Sequence, residues 1–174
     1  VIVDRDFVET TNLQRQVLFD ERDAAQALPK AEAARRRLGE INAQVAATAI
    51  ADDINHANIE RLTAGANVLI DGLDNFETRY LVNDCAVRHG VPWVYGGAVG
   101  TSGMAFAILP RSPDGGSTWE AGAGDNLATP CLRCLLNEAP PPGESATCDT
   151  AGVLGPAVSI VAGLLPPWAV SPLN

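Results

Sequence analysis

Three groups of residues combine types and spacing that could do chemistry. In the first, Asp4 ends the β-branched run Val1-Ile2-Val3 and is followed by Asn12-Leu13-Gln14-Arg15-Gln16 and by Lys30 just after Leu28-Pro29. An acid at the tip of the second strand of a nucleotide-binding fold can accept hydrogen bonds from ribose hydroxyls; an Asp in that position can equally cap a turn. Lys30 is the single lysine among 12 cationic residues, so arginine supplies the solvated charge and one compact ammonium is kept for the start of a helix. The helix macrodipole disfavours a cation there unless an anion such as phosphate lies close. The simpler alternative is an exposed lysine. In the second group, Asp71, Asp74 and Asn75 follow the apolar run Val68-Leu69-Ile70. A parallel sheet presents ligands beyond the carboxyl ends of its strands, and a carboxylate there can hold Mg²⁺ on a triphosphate. Of the two acids, Asp71 reads as structural and Asp74 as the metal-facing one, while Arg79 one turn into the next helix reads first as an ion-pair partner.

The third group is Cys131-Leu132-Arg133-Cys134. A C-x-x-C turn can place two thiolates on one ion and so supplies half of a tetrahedral Zn²⁺ site. A thioredoxin-type redox pair is the competing reading, but such a pair sits between a strand and a helix near the start of its fold, and this one follows a long loop. Cys148 lies after a proline-rich link and just before a helix, where a thiol has a lowered pKa and can act as a nucleophile; a lone cysteine is otherwise inert. Cys85 fits a helix core. His56 and His89 have no acidic or seryl partner nearby in sequence and receive no role, and Ser102 lacks the glycine two positions on that a nucleophile elbow needs.

These residues need a scaffold of alternating strands and helices. Val1–Val3, Val45–Ala51, Asn67–Asp71 and Trp93–Val99 read as strands, the third without alternation and so covered on both faces. Helices are expected over Lys30–Asn42, with Ala31, Ala34, Leu38 and Ile41 inside and Glu32, Arg35, Arg36 and Arg37 outside, over His56–Leu62, and over Glu77–His89, which Gly90 stops. Met104–Leu109 follows the turn Gly100–Gly103 as an antiparallel strand. Gly152–Leu165 is small and apolar enough for a buried helix, which Pro166-Pro167-Trp168 breaks. Residues 110–130 and 139–147 read as flexible loops. The pattern predicts an α/β fold with a doubly wound, mainly parallel sheet.

Composition sets the bounds. With 174 residues, 47% of them hydrophobic and 19% charged, the chain can bury one good core, so residues 1–174 read as a single domain. A net charge of −9 argues against nucleic acid or an anionic membrane as partner. No segment has the length of a membrane span and the N-terminus has no signal-peptide pattern, so a soluble, cytoplasmic protein is expected.

Taken together, Asp4-Arg5-Asp6-Phe7-Val8-Glu9, Asn12-Leu13-Gln14-Arg15-Gln16, Pro29-Lys30-Ala31, Asp71 to Arg79, Pro130-Cys131-Leu132-Arg133-Cys134 and Thr147 to Val153 resemble the successive motifs of the ThiF, MoeB and ubiquitin-activating enzyme family. The resemblance covers about Val1–Gly163, and Pro92 to Gly97 with Thr147 to Thr150 is most similar to the thiazole-biosynthesis type. It implies an ATP-dependent adenylyltransferase working as a homodimer on the C-terminal glycine carboxylate of a ubiquitin-like sulfur carrier. Asp4 would hold the ATP ribose, Asn12, Arg15 and Lys30 the phosphates, and Asp74 with Asn75 the Mg²⁺ and nucleotide. Cys148 falls where that type has a cysteine able to form a covalent persulfide link with the carrier. The family's glycine-rich phosphate loop and second C-x-x-C are not in the sequence, so the chain reads as truncated at both ends. Two rivals are an NAD-dependent dehydrogenase, which gives no reason for Arg15, Lys30 or the cysteine pair, and a non-catalytic dimerising or carrier-binding homologue.

Overall fold

The computed structural model describes residues 1–111, 128–137 and 152–165. Most of the two expected loops, the Pro166-Pro167-Trp168 break and Cys148 lie outside the described residues. The chain divides into two compact units, Val1–Ile54 and Asn55–Asn174.

The first unit is one strand–helix–strand crossover. Strand β1 (Ile2–Val3) runs parallel to β2 (Ala49–Ile50), with Ile2 opposite Ala49 and Val3 opposite Ile50. Parallel neighbours need a long connection, and helix α2 (Lys30–Ile41) supplies it, lying against both strands. Its inner side is small: Ala31, Ala33 and Ala34 are buried. Its outer side is an ion-pair row, with Glu32 accepting from Arg35 and Arg36 at 2.7 and 3.0 Å and Arg37 reaching Glu40 at 2.8 Å. Ile41, expected inside, is 65% exposed. A helix of this length extends about 18 Å, whereas two-residue strands offer about 7 Å of backing, so the last turn outruns the sheet. The second expected strand is likewise shorter than Val45–Ala51, and Val45 is exposed. A short helix the sequence reading did not identify, α1 (Glu21–Ala25), starts at Asp20, whose carboxylate accepts from the backbone N–H groups of Arg22 and Asp23 while the Asp23 side chain accepts from the Asp20 N–H. That is a capping box built with Asp in place of Glu.

In the second unit, α3 (Ile59–Thr63) precedes β3 (Leu69–Ile70), and α4 (Phe76–His89) connects β3 to the parallel strand β4 (Trp93–Val99). Gly90, at φ 67°, ends α4 in the left-handed conformation that a Cβ disfavours. Strand β5 (Ser102–Ile108) returns antiparallel to β4 over seven residue pairs, from Trp93 opposite Ile108 to Val99 opposite Ser102. Trp93, Val94, Tyr95, Ile108 and Ala86 form the core, with Phe106 stacked on Tyr95 at 4.5 Å. The sequence predicts β3 to be covered on both faces, yet Ile70 is 56% exposed: among the described residues nothing covers its face of the strand.

Helix α5 (Leu132–Leu135) and helix α6 (Gly155–Leu164) complete the unit. α6 lies on β4 and β5 through Val161 and Leu165. The approach is close enough that a Cβ on Gly103 would run into Val161 Cγ2, and one on Gly96 would meet Leu165 at 3.0 Å. The expected buried helix is therefore buried on one side only, since Ile160 and Leu164 on α6 are 66% and 50% exposed. The architecture is α/β as expected, with parallel pairs β1–β2 and β3–β4 and one antiparallel addition. Among the described residues no helix is long and apolar enough to cross a membrane.

Candidate functional site

The first unit carries Asp4, Asn12, Arg15 and Lys30. The backbone N–H of Asp4 continues the β1–β2 ladder to the Ile50 carbonyl at 3.1 Å, and its carboxylate accepts from the Asp6 N–H at 2.9 Å. This Asx turn ends the strand and directs the next residues toward α2. There Lys30 N–H donates to the Asp6 carbonyl and Val8 N–H to the Leu28 carbonyl, both at 2.8 Å. Lys30 Nζ then donates to Asp6 Oδ2 at 2.9 Å, with the lysine side chain 11% exposed and the aspartate 52%. The anion at the start of α2 is thus Asp6, a residue given no role by spacing alone. The pair holds a desolvated ammonium beside an acid that faces solvent.

Asn12 is buried in a 3-10 turn (Thr10–Asn12), and its carbonyl accepts from the N–H groups of Arg15 and Gln16 at 3.0 and 2.9 Å. Arg15 donates to the Thr11 carbonyl at 3.2 Å and is half-buried. Beside it, Gln16 Oε1 is buried and has no hydrogen-bond partner among the described residues.

Asp74 and Asn75 belong to the second unit, on the link between β3 and α4. Asp71 and Arg79 pin that link. Arg79 donates to Asp71 Oδ2 at 3.0 Å and to the carbonyls of Leu73 and Gly96, and its guanidinium lies 4.8 Å from the Tyr95 ring centre and 5.7 Å from that of Phe76. Asp71 Oδ1 accepts from the Leu73 N–H at 2.7 Å. Burial pushes the Asp71 carboxyl up, with the Arg79 charge opposing it. Asn75 caps α4 by accepting from the Thr78 N–H at 2.9 Å and donates to Asp74 Oδ1 at 3.2 Å. Asp71 is therefore fully engaged inside the protein, and Asp74 is the exposed carboxylate.

The cysteine pair is a built feature. Cys131 occupies the N-cap of α5, and the sulfurs of Cys131 and Cys134 stand 3.7 Å apart. With Zn–S bonds of about 2.3 Å, a tetrahedral site has S···S edges of about 3.8 Å, so the two thiols fit two of its corners. Helix α4 holds the knuckle. Buried Asn83 accepts from the Leu132 N–H at 2.8 Å, Arg133 reaches Asp84 at 2.7 and 2.6 Å and lies 4.8 Å from the Tyr80 ring centre, and Tyr80 donates to the Leu136 carbonyl. Arg133 holds the Asp84 carboxyl below its ordinary value. Burial raises the Cys131 thiol, and hydrogen bonds from Cys134, Arg133 and Asn83 outweigh it, leaving the thiol below its usual range. Among the described residues no third His, Cys, Asp or Glu ligand gathers with this pair. Cys85 is buried in α4, as its sequence position suggested.

Comparisons with known proteins bear on this arrangement. The chain matches the ThiF family over residues 1–173. It is 46% identical over 161 residues to the sulfur carrier protein ThiS adenylyltransferase of Bacillus subtilis, covering 92% of this chain and 43% of that protein. It is 38% identical to the SAMP-activating enzyme E1 of Haloferax volcanii, covering 89% of this chain and 50% of the relative. Among solved structures, MccB of E. coli, solved with MccA-N7isoASN, shares the fold at a TM-score of 0.72 and 23% identity, over 95% of this chain and 46% of MccB. The chain thus spans half the length of these relatives or less. Matched along nearly its whole length, it belongs to the ThiF family.

Proposed function

We propose that this chain is the nucleotide-binding part of an ATP-dependent adenylyltransferase that activates the C-terminal glycine carboxylate of a ubiquitin-like sulfur carrier. The observation that carries this reading is the 46% identity, over 92% of the chain, to a ThiS adenylyltransferase, which also favours the thiazole branch of thiamine biosynthesis. The carrier carboxylate oxygen attacks the α-phosphorus of ATP, the bond from that phosphorus to the bridging oxygen breaks, and acyl-adenylate and pyrophosphate form.

Asp4 accepts from the ribose hydroxyls, while Asn12, Arg15 and Lys30 bind the phosphates. Both reactants are anionic, so fixed cations stabilise the charge that builds on the phosphoryl oxygens. Lys30 is prepared for this by burial against Asp6. Asp74, with Asn75 beside it, would hold Mg²⁺ on the triphosphate. Cys131 and Cys134 would hold Zn²⁺ as a structural ion, their spacing supporting it. Cys148 is assigned the covalent link to the carrier: once a persulfide donor has transferred its outer sulfur to the thiol, that sulfur attacks the acyl-adenylate carbonyl, the bond to the phosphate oxygen breaks and AMP leaves. A homodimer is supported by the apolar residues that α6 leaves exposed, and a cytoplasmic location is proposed with it.

The test is ATP–pyrophosphate exchange by the purified protein with and without a ubiquitin-like carrier ending in glycine. Exchange that depends on the carrier is expected, and is lost when its last glycine is deleted. ATP binding without carrier-dependent exchange would overturn adenylation and leave a binding module.

A further inference from the structure

Within the second unit, three chemically different ligands converge between α3 and α4. Cys85 and His89 stand four residues apart on α4 and so share one face of the helix. Glu60 comes across from the first turn of α3. The Cys85 sulfur, a His89 ring nitrogen and a Glu60 carboxylate oxygen all lie within 4.8 Å of one another. His89 Nε2 contacts Glu60 Oε2 directly, and Arg88 occupies the other carboxylate oxygen, Oε1, at 3.2 Å.

We propose that Glu60, Cys85 and His89 form a binding site for a Zn²⁺-class divalent ion that staples α3 to the C-terminal turn of α4. The donor set selects the metal. A thiolate and an imidazole favour zinc and its borderline neighbours over Mg²⁺ or Ca²⁺, which take oxygen. The charges also close: one thiolate and one carboxylate offset a divalent cation, so a neutral unit replaces the burial of a lone thiolate. On binding, the Cys85 thiol releases its proton to solvent and the S–metal bond forms. Thr63 Oγ1 lies 3.3 Å from the Cys85 sulfur and 2.9 Å from the Ile59 carbonyl, so its one proton can turn to the thiolate, a supporting hydrogen bond of the kind that tunes metal sites.

The geometry needs small adjustments only. Tetrahedral edges between N, O and S ligands run about 3.3–3.8 Å, which rotation of the exposed Glu60 and His89 side chains reaches while Cys85 stays buried. The backbone is already fixed, since Gly90 closes α4 directly after His89 and Ile59 anchors α3 in the core. With Glu60 and His89 about half exposed, the fourth position faces water.

Cobalt(II) is the probe. In a Cys131→Ser/Cys134→Ser/Cys148→Ser chain, titration with Co²⁺ should give a saturable thiolate-to-cobalt charge-transfer band at one equivalent. His89→Gln and Glu60→Gln, both at exposed positions, should each weaken binding at least about tenfold, the scale set by the loss of supporting groups at metal sites. In the unmodified chain the same two substitutions should each weaken the binding of one equivalent of cobalt by at least about tenfold, so that fewer equivalents are bound at a subsaturating concentration, a measurement that stands whether or not the triple variant folds. No saturable band from Cys85, or a cobalt count unchanged by His89→Gln and Glu60→Gln, would overturn the proposal.

Discussion

Lys30 and Arg79 illustrate two uses of one buried positive charge. Lys30 pairs with an acid that keeps half its surface in water, so a phosphate can draw the ammonium away without stranding a buried anion. Arg15→Ala and Lys30→Ala should each lower carrier-dependent pyrophosphate exchange by about a hundredfold, the scale for removing one donor to developing charge. Near-normal exchange in both variants would remove them from the chemistry. Arg79 has no such freedom, because its partner Asp71 is fully buried and its Nη2 group holds the carbonyls of Leu73 and Gly96. Arg79→Ala should destabilise the chain by about 3–5 kcal/mol, since it leaves an uncompensated buried carboxylate. Urea denaturation checks this, and the Asp71→Asn/Arg79→Met double variant should lose less.

At the scale of elements, α2 shows how a helix with a small inner face is assisted from outside. Glu32 accepts from Arg35 and Arg36, and their hydrogen bonds hold its carboxyl at about 2 instead of the ordinary 4.5. A depressed acid contributes stability that is present above its unfolded-state value and lost as pH falls through its folded value. Thermal melts of the wild type and Glu32→Gln should therefore differ most above about pH 5 and converge toward about pH 2. Added salt should narrow the gap, because the pair is on the surface. A gap constant from neutral to acid pH would mean that Glu32 acts through helix propensity and not through its charge.

Across the whole molecule, the exposed apolar side of α6 is the feature that a homodimer would use. Val161 and Leu165 face the sheet, whereas Ile160 and Leu164 are left 66% and 50% exposed. Ile160→Glu combined with Leu164→Glu should halve the mass measured by light scattering and leave the circular dichroism spectrum unchanged. A wild-type protein that is already monomeric at assay concentration would remove the dimer from the proposed function.

The sequence by itself determined those features that local physics decides. Apolar spacing and Gly90 specify α4, β-branched and aromatic residues specify β4 within its observed bounds, and alternating strand and helix signals specify the α/β class. The Asp4, Asp74 and C-x-x-C positions are visible because they punctuate those elements, and Asp20 with Asp23 three residues on carries a local capping signal of the same kind. Tertiary structure decided the pairings that sequence distance hides. Asp6 becomes the partner of Lys30 because strand end and helix start are bridged by backbone hydrogen bonds 24 residues apart. Asn83 holds the cysteine turn from 49 residues away. His89, which has no acid near it in sequence, meets Glu60 only because α3 packs on α4. Exposure of Ile41, Ile70 and Ile160 was beyond the sequence for the same reason: periodicity says which side of an element is apolar, whereas the extent of the neighbouring element decides how much of that side is covered.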